Sequence, residues 1–418
     1  MELTKRISRD IRFFDMFAGI GGFRSGLEAV GGFKCVGHCE IDKHANKAYN
    51  AIYNTKGEYY CEDARKIDTE TLPDFDLLCA GFPCQTFSIC GKQKGFHDTT
   101  RGTLFFDICR ILEEKKPKAF ILENVQNLEK HDKGNTLYVM MQALNELGYS
   151  VTYRVLNARN FGVPQNRERI LIVGNRDGKL FDFDNVEVNR VESMKSFLDK
   201  EGNFEYLNPN EYTILQNYKK QEKSGLIFIG YRNKKIRTVG VRPGTEHLSR
   251  VHKQPNRIYS SMGIHPTIAS QEQSGRYWIL DEGKVRKLTI NECFRFMGFP
   301  NDFKKPGLVS KLYERIGNSI CVNMVEAVAK ELKQQFFCEG EQLVQEINPT
   351  IFLENIYKEA LQMDSINDVA LNEQQMKWVT NIYLKEETFK GVFTVLITSL
   401  TYKCLHPEQD VRYHQANM

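Results

Sequence analysis

The chain has 418 residues, 41% of them apolar, and a formal net charge of +4. That is more chain than one typical core holds and predicts two or three globular, soluble domains. Eleven cysteines, an odd number scattered along the chain, point to reduced thiols and away from a disulfide framework. The first residues reach Asp15, Gly19 and Arg24 before any apolar run long enough for a secretory signal or a membrane span, so a cytoplasmic protein is expected.

From residue 11 to 174, apolar runs of strand length alternate with helical stretches. The runs are Ile11 to Phe17, Lys34 to Glu40, Phe75 to Ala80, Ala119 to Glu123, Ser150 to Leu156 and Ile170 to Gly174. Short apolar strands separated by helical segments predict an α/β fold with a mostly parallel sheet, and the last two runs lie close enough for an antiparallel edge hairpin.

The first strand ends in Asp15-Met16-Phe17-Ala18-Gly19-Ile20-Gly21-Gly22-Phe23, followed by a helical stretch from Arg24. Glycines such as Gly19, Gly21 and Gly22 at a strand-to-helix turn let the backbone approach a ligand at the carboxyl edge of a sheet. Glu40, ending the second strand, is placed to accept both hydroxyls of a ribose, and Asp63, after the third, to bind an adenine amino group. Cys35, His38 and Cys39 invite a metal reading, but no second Cys/His pair with ligand spacing follows, and small buried thiols along a strand are expected.

Gly81-Phe82-Pro83-Cys84-Gln85-Thr86-Phe87-Ser88 then delivers a single thiol onto a proline-stiffened loop, as a nucleophile requires. The spacing so far permits a nicotinamide cofactor. Hydride transfer has no need of Cys84, however, whereas methyl transfer to an unreactive ring carbon needs a covalent partner. Glu123 closes the run Ala119-Phe120-Ile121-Leu122, where lost solvation favours its acid form and a proton to donate; the alternative is a glutamate starting a helix. Arg167 and Arg169, at alternate positions before the strand from Ile170, point to one face, where they stabilise a thiolate, a carbonyl or a phosphate, or else pair with Glu168.

After Asn175 the pattern gives way to polar, Gly-punctuated sequence, read as a separate loop-rich domain. Within it, residues 215 to 257 carry eleven Lys/Arg against two Glu, a local charge of +9 that suits a polyanion. Helical sequence resumes at Thr289, whose spacing to Glu292 is a capping box, and again from Val322 to Phe337. The remainder, with six Lys/Arg against twelve Asp/Glu from residue 339 onward, has helical spacing.

In this order, Asp15 to Phe23, Glu40, Asp63, Gly81 to Ser88 with Gly91-Lys92-Gln93, Glu123-Asn124-Val125, Gln165 to Arg169, Arg286 to Pro300 and Gly317-Asn318-Ser319 resemble the DNA (cytosine-5) methyltransferase family, in particular bacterial modification methylases. The resemblance spans residues 11 to about 335. It implies an S-adenosylmethionine-dependent, Rossmann-like catalytic domain with helices on both faces of the sheet, formed by 1–177 and 281–335. A smaller target-recognition domain (178–280) and a helical C-terminal extension (336–418) complete the expected organisation. It further implies that Cys84 adds to carbon 6 of a flipped-out cytosine while Glu123 engages N3, with Arg169 activating the thiol and Arg167 beside it. Phe17, Gly19, Gly21, Gly22, Glu40, Ile41, Asp63, Pro83 and Asn318 are the expected cofactor residues. Ile41 departs from the aromatic residue that many members carry there. Ser88, Gln93, Arg232, Arg237, Arg242 and Arg250 are the expected DNA contacts, and Cys293 is expected in the core. The implied partners are duplex DNA and, in function, a cognate restriction endonuclease of a bacterial restriction-modification system. A monomer without a metal is expected. Two alternatives are an RNA (tRNA) cytosine-5 methyltransferase and a catalytically inactive DNA-binding homologue.

Overall fold

In the computed structural model the described residues are 9–83, 104–235, 244–245, 247–270 and 278–338. Cys84, Ser88, Gln93, Arg237, Arg242 and the tail beyond Cys338 lie outside them.

The first part of the chain runs β1 (Ile11–Met16), α1 (Gly22–Val30), β2 (Phe33–Cys39), α2 (Lys43–Ile52), β3 (Tyr59–Cys61), β4 (Leu77–Gly81), α3 (Leu104–Lys115), β5 (Ala119–Val125), α4 (Asn135–Glu146), β6 (Ser150–Asn157), β7 (Gln165–Asn166) and β8 (Glu168–Asn175). Seven of these strands form one sheet in the order β3-β2-β1-β4-β5-β8-β6. The first five are mutually parallel, and β8 is antiparallel to both β5 and β6. The hairpin read from the sequence exists, but its second strand is inserted next to β5 and leaves β6 at the edge.

Strand side chains alternate between faces, and each face has its own core. Phe13, Leu77, Cys79, Ile121 and Leu171 pack with Leu27 of α1 and with Val325, Val328 and Leu332 of a later helix. Phe14, Leu78, Ala80, Phe120, Leu122 and Ile172 pack with Phe105, Ile108 and Leu112 of α3 and with Met140 and Leu144 of α4. Helices therefore cover both faces, which is why β4, β5 and β8 read as unbroken apolar runs.

A second, five-stranded sheet follows, built from β9 (Tyr212–Ile214), β10 (Phe228–Arg232), β11 (Arg257–Ser260), β13 (Trp278–Asp281) and β14 (Lys284–Lys287), in the order β14-β13-β11-β10-β9. Its last strand lies beyond residue 280. The two-residue β12 (His265–Pro266) leaves this sheet and pairs with β7. Three helices close the described chain: α5 (Ile290–Phe296), α6 (Val309–Asn318) and α7 (Val322–Leu332), the last ending in a widened turn over Lys333–Phe337.

The capping box at Thr289 is formed, with Glu292 N–H donating to Thr289 Oγ1 at 3.1 Å and Thr289 N–H to Glu292 Oε2 at 2.7 Å. Glu292 also takes two hydrogen bonds from Arg286, and Cys293 is fully buried, so this block is scaffold.

Candidate active site

The strand order reverses direction between β1 and β4, and ligands of open α/β sheets bind outside the carboxyl ends of the strands at such a switch point. A cavity of about 890 Å3 lies there. The turn after β1 forms one wall. Phe17 takes a left-handed backbone conformation (φ 60°), a strained choice for a residue with a side chain, and Gly19 (φ 57°) and Gly21 (φ 83°) continue the turn. At Gly22 a Cβ would come within 2.5 Å of Ser319 Oγ, so glycine there lets the turn lie directly against the loop after α6.

Glu40 is held from two sides: Gly19 N–H donates to Oε2 and Asp42 N–H to Oε1, each at 2.7 Å. Each carboxylate oxygen keeps a free lone pair, the pattern that two vicinal hydroxyls require. Burial pushes this carboxyl above its usual range, and the two backbone donors pull against that shift. Asp63 is engaged differently. Arg65 binds both of its oxygens, Nε at 2.9 Å and Nη2 at 2.7 Å, and holds it below the usual carboxylate range. Ile41, 60% exposed, lines the mouth, and Pro83 and Asn318 line the wall. These residues fit a nucleoside with an extended substituent.

Glu123 stands directly across from Gly81 in the β4–β5 pairing, one strand over from the cysteine loop. Its Oε1 is 2.9 Å from Arg169 Nε, with both side chains mostly buried. The antiparallel direction of β8 makes this pair, because a strand running the opposite way begins at the carboxyl edge of its neighbours, and Arg169 falls opposite Val125. Arg169, expected to activate the thiol, pairs with Glu123, and Cys84 itself lies outside the described residues.

Arg167 has a different setting from its neighbour. Fully buried, it donates to the carbonyls of Ile268 (3.2 Å), Gly317 (2.9 Å) and Ser319 (2.7 Å), tying two loops of the cavity wall together. With its Nη groups donating to backbone carbonyls, it braces these loops while lining the cavity. Burial and the nearby Arg169 charge lower its pKa.

The wall also contains residues the sequence reading did not assign: Leu104 and Asp107 of α3, Thr267 to Ser270, and Arg315 of α6. Thr267 and Ile268 arrive through β12, with Thr267 Oγ1 donating to Asn166 O at 2.7 Å and Ile268 N–H to Gln165 Oε1 at 2.9 Å. That long-range pairing has no local signal. Arg315 did have one, since it precedes Asn318 by a single helical turn.

Elsewhere, Arg232 lies over the Trp278 ring at 5.3 Å, and Arg250 is exposed on a short turn. Cys35 and His38 are occupied by Gly37 O and Asn46, and no group of three metal-ligating side chains is gathered among the described residues. Among those residues no helix is long and apolar enough to cross a membrane.

Comparison with known proteins agrees with this arrangement. Residues 11–334 match the family described as C-5 cytosine-specific DNA methylase. The chain is 39% identical over 339 residues to the type II methyltransferase M.HhaI of Haemophilus parahaemolyticus, covering 79% of this chain and 96% of that protein. It is 40% identical over 332 residues to M.NlaX of Neisseria lactamica, covering 77% and 96%. Among solved structures, S. pombe Dnmt2 methyltransferase superposes with a TM-score of 0.55 at 20% identity, over 78% of this chain and 98% of that one, a likeness of fold.

Proposed function

This chain belongs to the C-5 cytosine-specific DNA methylase family, and we propose that it methylates carbon 5 of cytosine at a specific duplex DNA sequence as the modification enzyme of a bacterial restriction-modification system. The observation that carries the reading is a single cavity in which Glu40, Pro83, Glu123, Arg169 and Asn318 converge at the switch point of the sheet.

S-Adenosylmethionine, bound along Phe17, Gly19, Gly21, Gly22, Glu40, Ile41, Asp63, Pro83 and Asn318, supplies an electrophilic methyl group. The chain's own groups make the cytosine able to take it. The Cys84 thiolate adds to carbon 6, opening the 5,6 double bond. Glu123, oriented by Arg169, holds a proton at N3 so that electron density collects on carbon 5. Once carbon 5 carries the methyl group, loss of its proton restores the double bond and expels the thiolate. The base must leave the helix to reach these groups, at a cost of a few kcal/mol.

Residues 178–280 serve as the recognition domain, with Arg232, Arg237, Arg242 and Arg250 on DNA and Ser88 and Gln93 near the flipped base. The enzyme acts as a monomer in the cytoplasm, paired in function with an endonuclease. Incubating it with plasmid DNA and labelled S-adenosylmethionine, then mapping modified cytosines by bisulfite sequencing, tests this reading. Modification at one short motif is expected, and Cys84→Ser abolishes it while duplex binding persists. Transfer to transfer RNA in preference to duplex DNA would overturn the assignment.

A further inference from the structure

Arg315 is a buried cation whose partners do not account for it. It is 5% exposed, yet its guanidinium donates no hydrogen bond to any described residue, and both Nε and Nη2 are enclosed without a partner. The nearest acid is Asp42, with Oδ1 4.0 Å from Nη2. That oxygen is already committed, accepting the N–H groups of His44 (2.7 Å) and Ala45 (3.1 Å) as the cap of α2. Other buried arginines have close partners for their Nη groups: Arg24 and Arg286 pair with carboxylates, Arg159 with Glu192 and Arg167 with three carbonyls, although Nε of Arg159 and of Arg167 is also enclosed without a partner. Leaving a buried charge this poorly matched is costly unless a ligand completes it.

Arg315 lines the same cavity as Glu40 and Asn318. Its burial keeps it from a DNA phosphate. S-Adenosylmethionine has a single anionic group, the carboxylate of its amino-acid end. We propose that Arg315 recognises this carboxylate and so selects cofactors with an intact amino-acid moiety. This rests on reading the cavity as the cofactor site. Asp63, paired with Arg65, marks the adenine end of the cavity and Glu40 the ribose; the Arg315 guanidinium lies past Glu40, beside Asp42, and the loop from Asn318 to Ile320 packs against Gly22. Arg315 is one helical turn before that loop.

The test compares two ligands by calorimetry, S-adenosylhomocysteine and 5′-methylthioadenosine, which shares the adenosine and sulfur but lacks the amino acid. Arg315→Met should weaken S-adenosylhomocysteine by about tenfold or more, the loss expected for a charge-assisted hydrogen bond. It should leave methylthioadenosine within about twofold, and Arg315→Lys should recover part of the loss. Equal weakening of both ligands in Arg315→Met and in Arg315→Gln would overturn the proposal. So would unchanged S-adenosylhomocysteine affinity with a lowered melting temperature, which would make Arg315 a partner of Asp42 alone. If the wild-type enzyme binds neither ligand, the cofactor reading of the cavity falls, and the inference falls with it.

Discussion

Asp15 lies one strand residue below the ligand turn, fully buried, with Oδ1 unpartnered and Oδ2 accepting only a 3.3 Å hydrogen bond from Tyr49. Burial pushes its pKa up to about 8, against the pull of the Arg24 charge and the Tyr49 hydroxyl. A carboxyl whose folded pKa exceeds its unfolded value contributes stability that is full below the unfolded pKa and is lost as pH rises toward the folded one. Asp15→Asn should therefore match wild type in melting temperature near pH 4 and exceed it near pH 8.5, a divergence that thermal unfolding at the two pH values reads directly. His38, whose pKa burial lowers, contributes the opposite slope to both proteins and cancels in the difference.

At the same scale, the Glu123–Arg169 pair tests the proposed roles of proton donor and orienting charge. Glu123→Gln should lower kcat by about 10² to 10⁴, the usual range for a lost general acid. Arg169→Met should lower kcat more than it raises the KM for DNA, because its charge acts on a side chain that is itself in place. Single-turnover methylation kinetics separate the two effects.

Among elements, the cavity depends on segments far apart in sequence being clamped together. Arg167 is the main clamp, since its guanidinium joins the loop around Ile268 to the carbonyls at the end of α6. Arg167→Met would strand these buried carbonyls. We expect a loss of about 2–3 kcal/mol in chemical denaturation, with cofactor affinity falling in parallel. Most of the main sheet was legible in the chain, because strands buried on both faces are continuous apolar runs and the βα alternation is local. The placement of β8 between β5 and β6 was not legible. Nothing in Ile170 to Val173 distinguishes an inserted antiparallel strand from an edge one, and hydrogen-bond partners belong to the sheet as a whole.

Over the whole molecule, positive charge concentrates in residues 215 to 257, the middle of the proposed recognition domain. Lys220 of this segment is paired with Glu192, which Arg190 and Arg159 from outside it also contact. The rest should dominate DNA binding through counterion release. Raising salt from about 50 to 200 mM should weaken duplex binding by at least about tenfold. S-Adenosylhomocysteine, if it occupies the proposed cofactor cavity, should change far less, and fluorescence titration of both ligands compares the two slopes.

What the amino-acid sequence determined by itself was the chemistry available: Cys84 on its loop, Glu123 at a strand end, Glu40 after the second strand and the glycine turn before them, all set by short-range spacing and strand periodicity. Their order along the chain was enough to imply the family. The tertiary structure alone decided which partner each group meets. Arg167 and Arg169, two residues apart and indistinguishable as sequence, became a brace and an ion-pair partner because one side chain is enclosed by backbone carbonyls and the other by a carboxylate. Arg315, marked in the sequence only by its spacing to Asn318, became a candidate ligand contact because burial removed its solvent without supplying a hydrogen-bond acceptor. Donors and acceptors are encoded locally, but their satisfaction is a property of packing between segments more than a hundred residues apart.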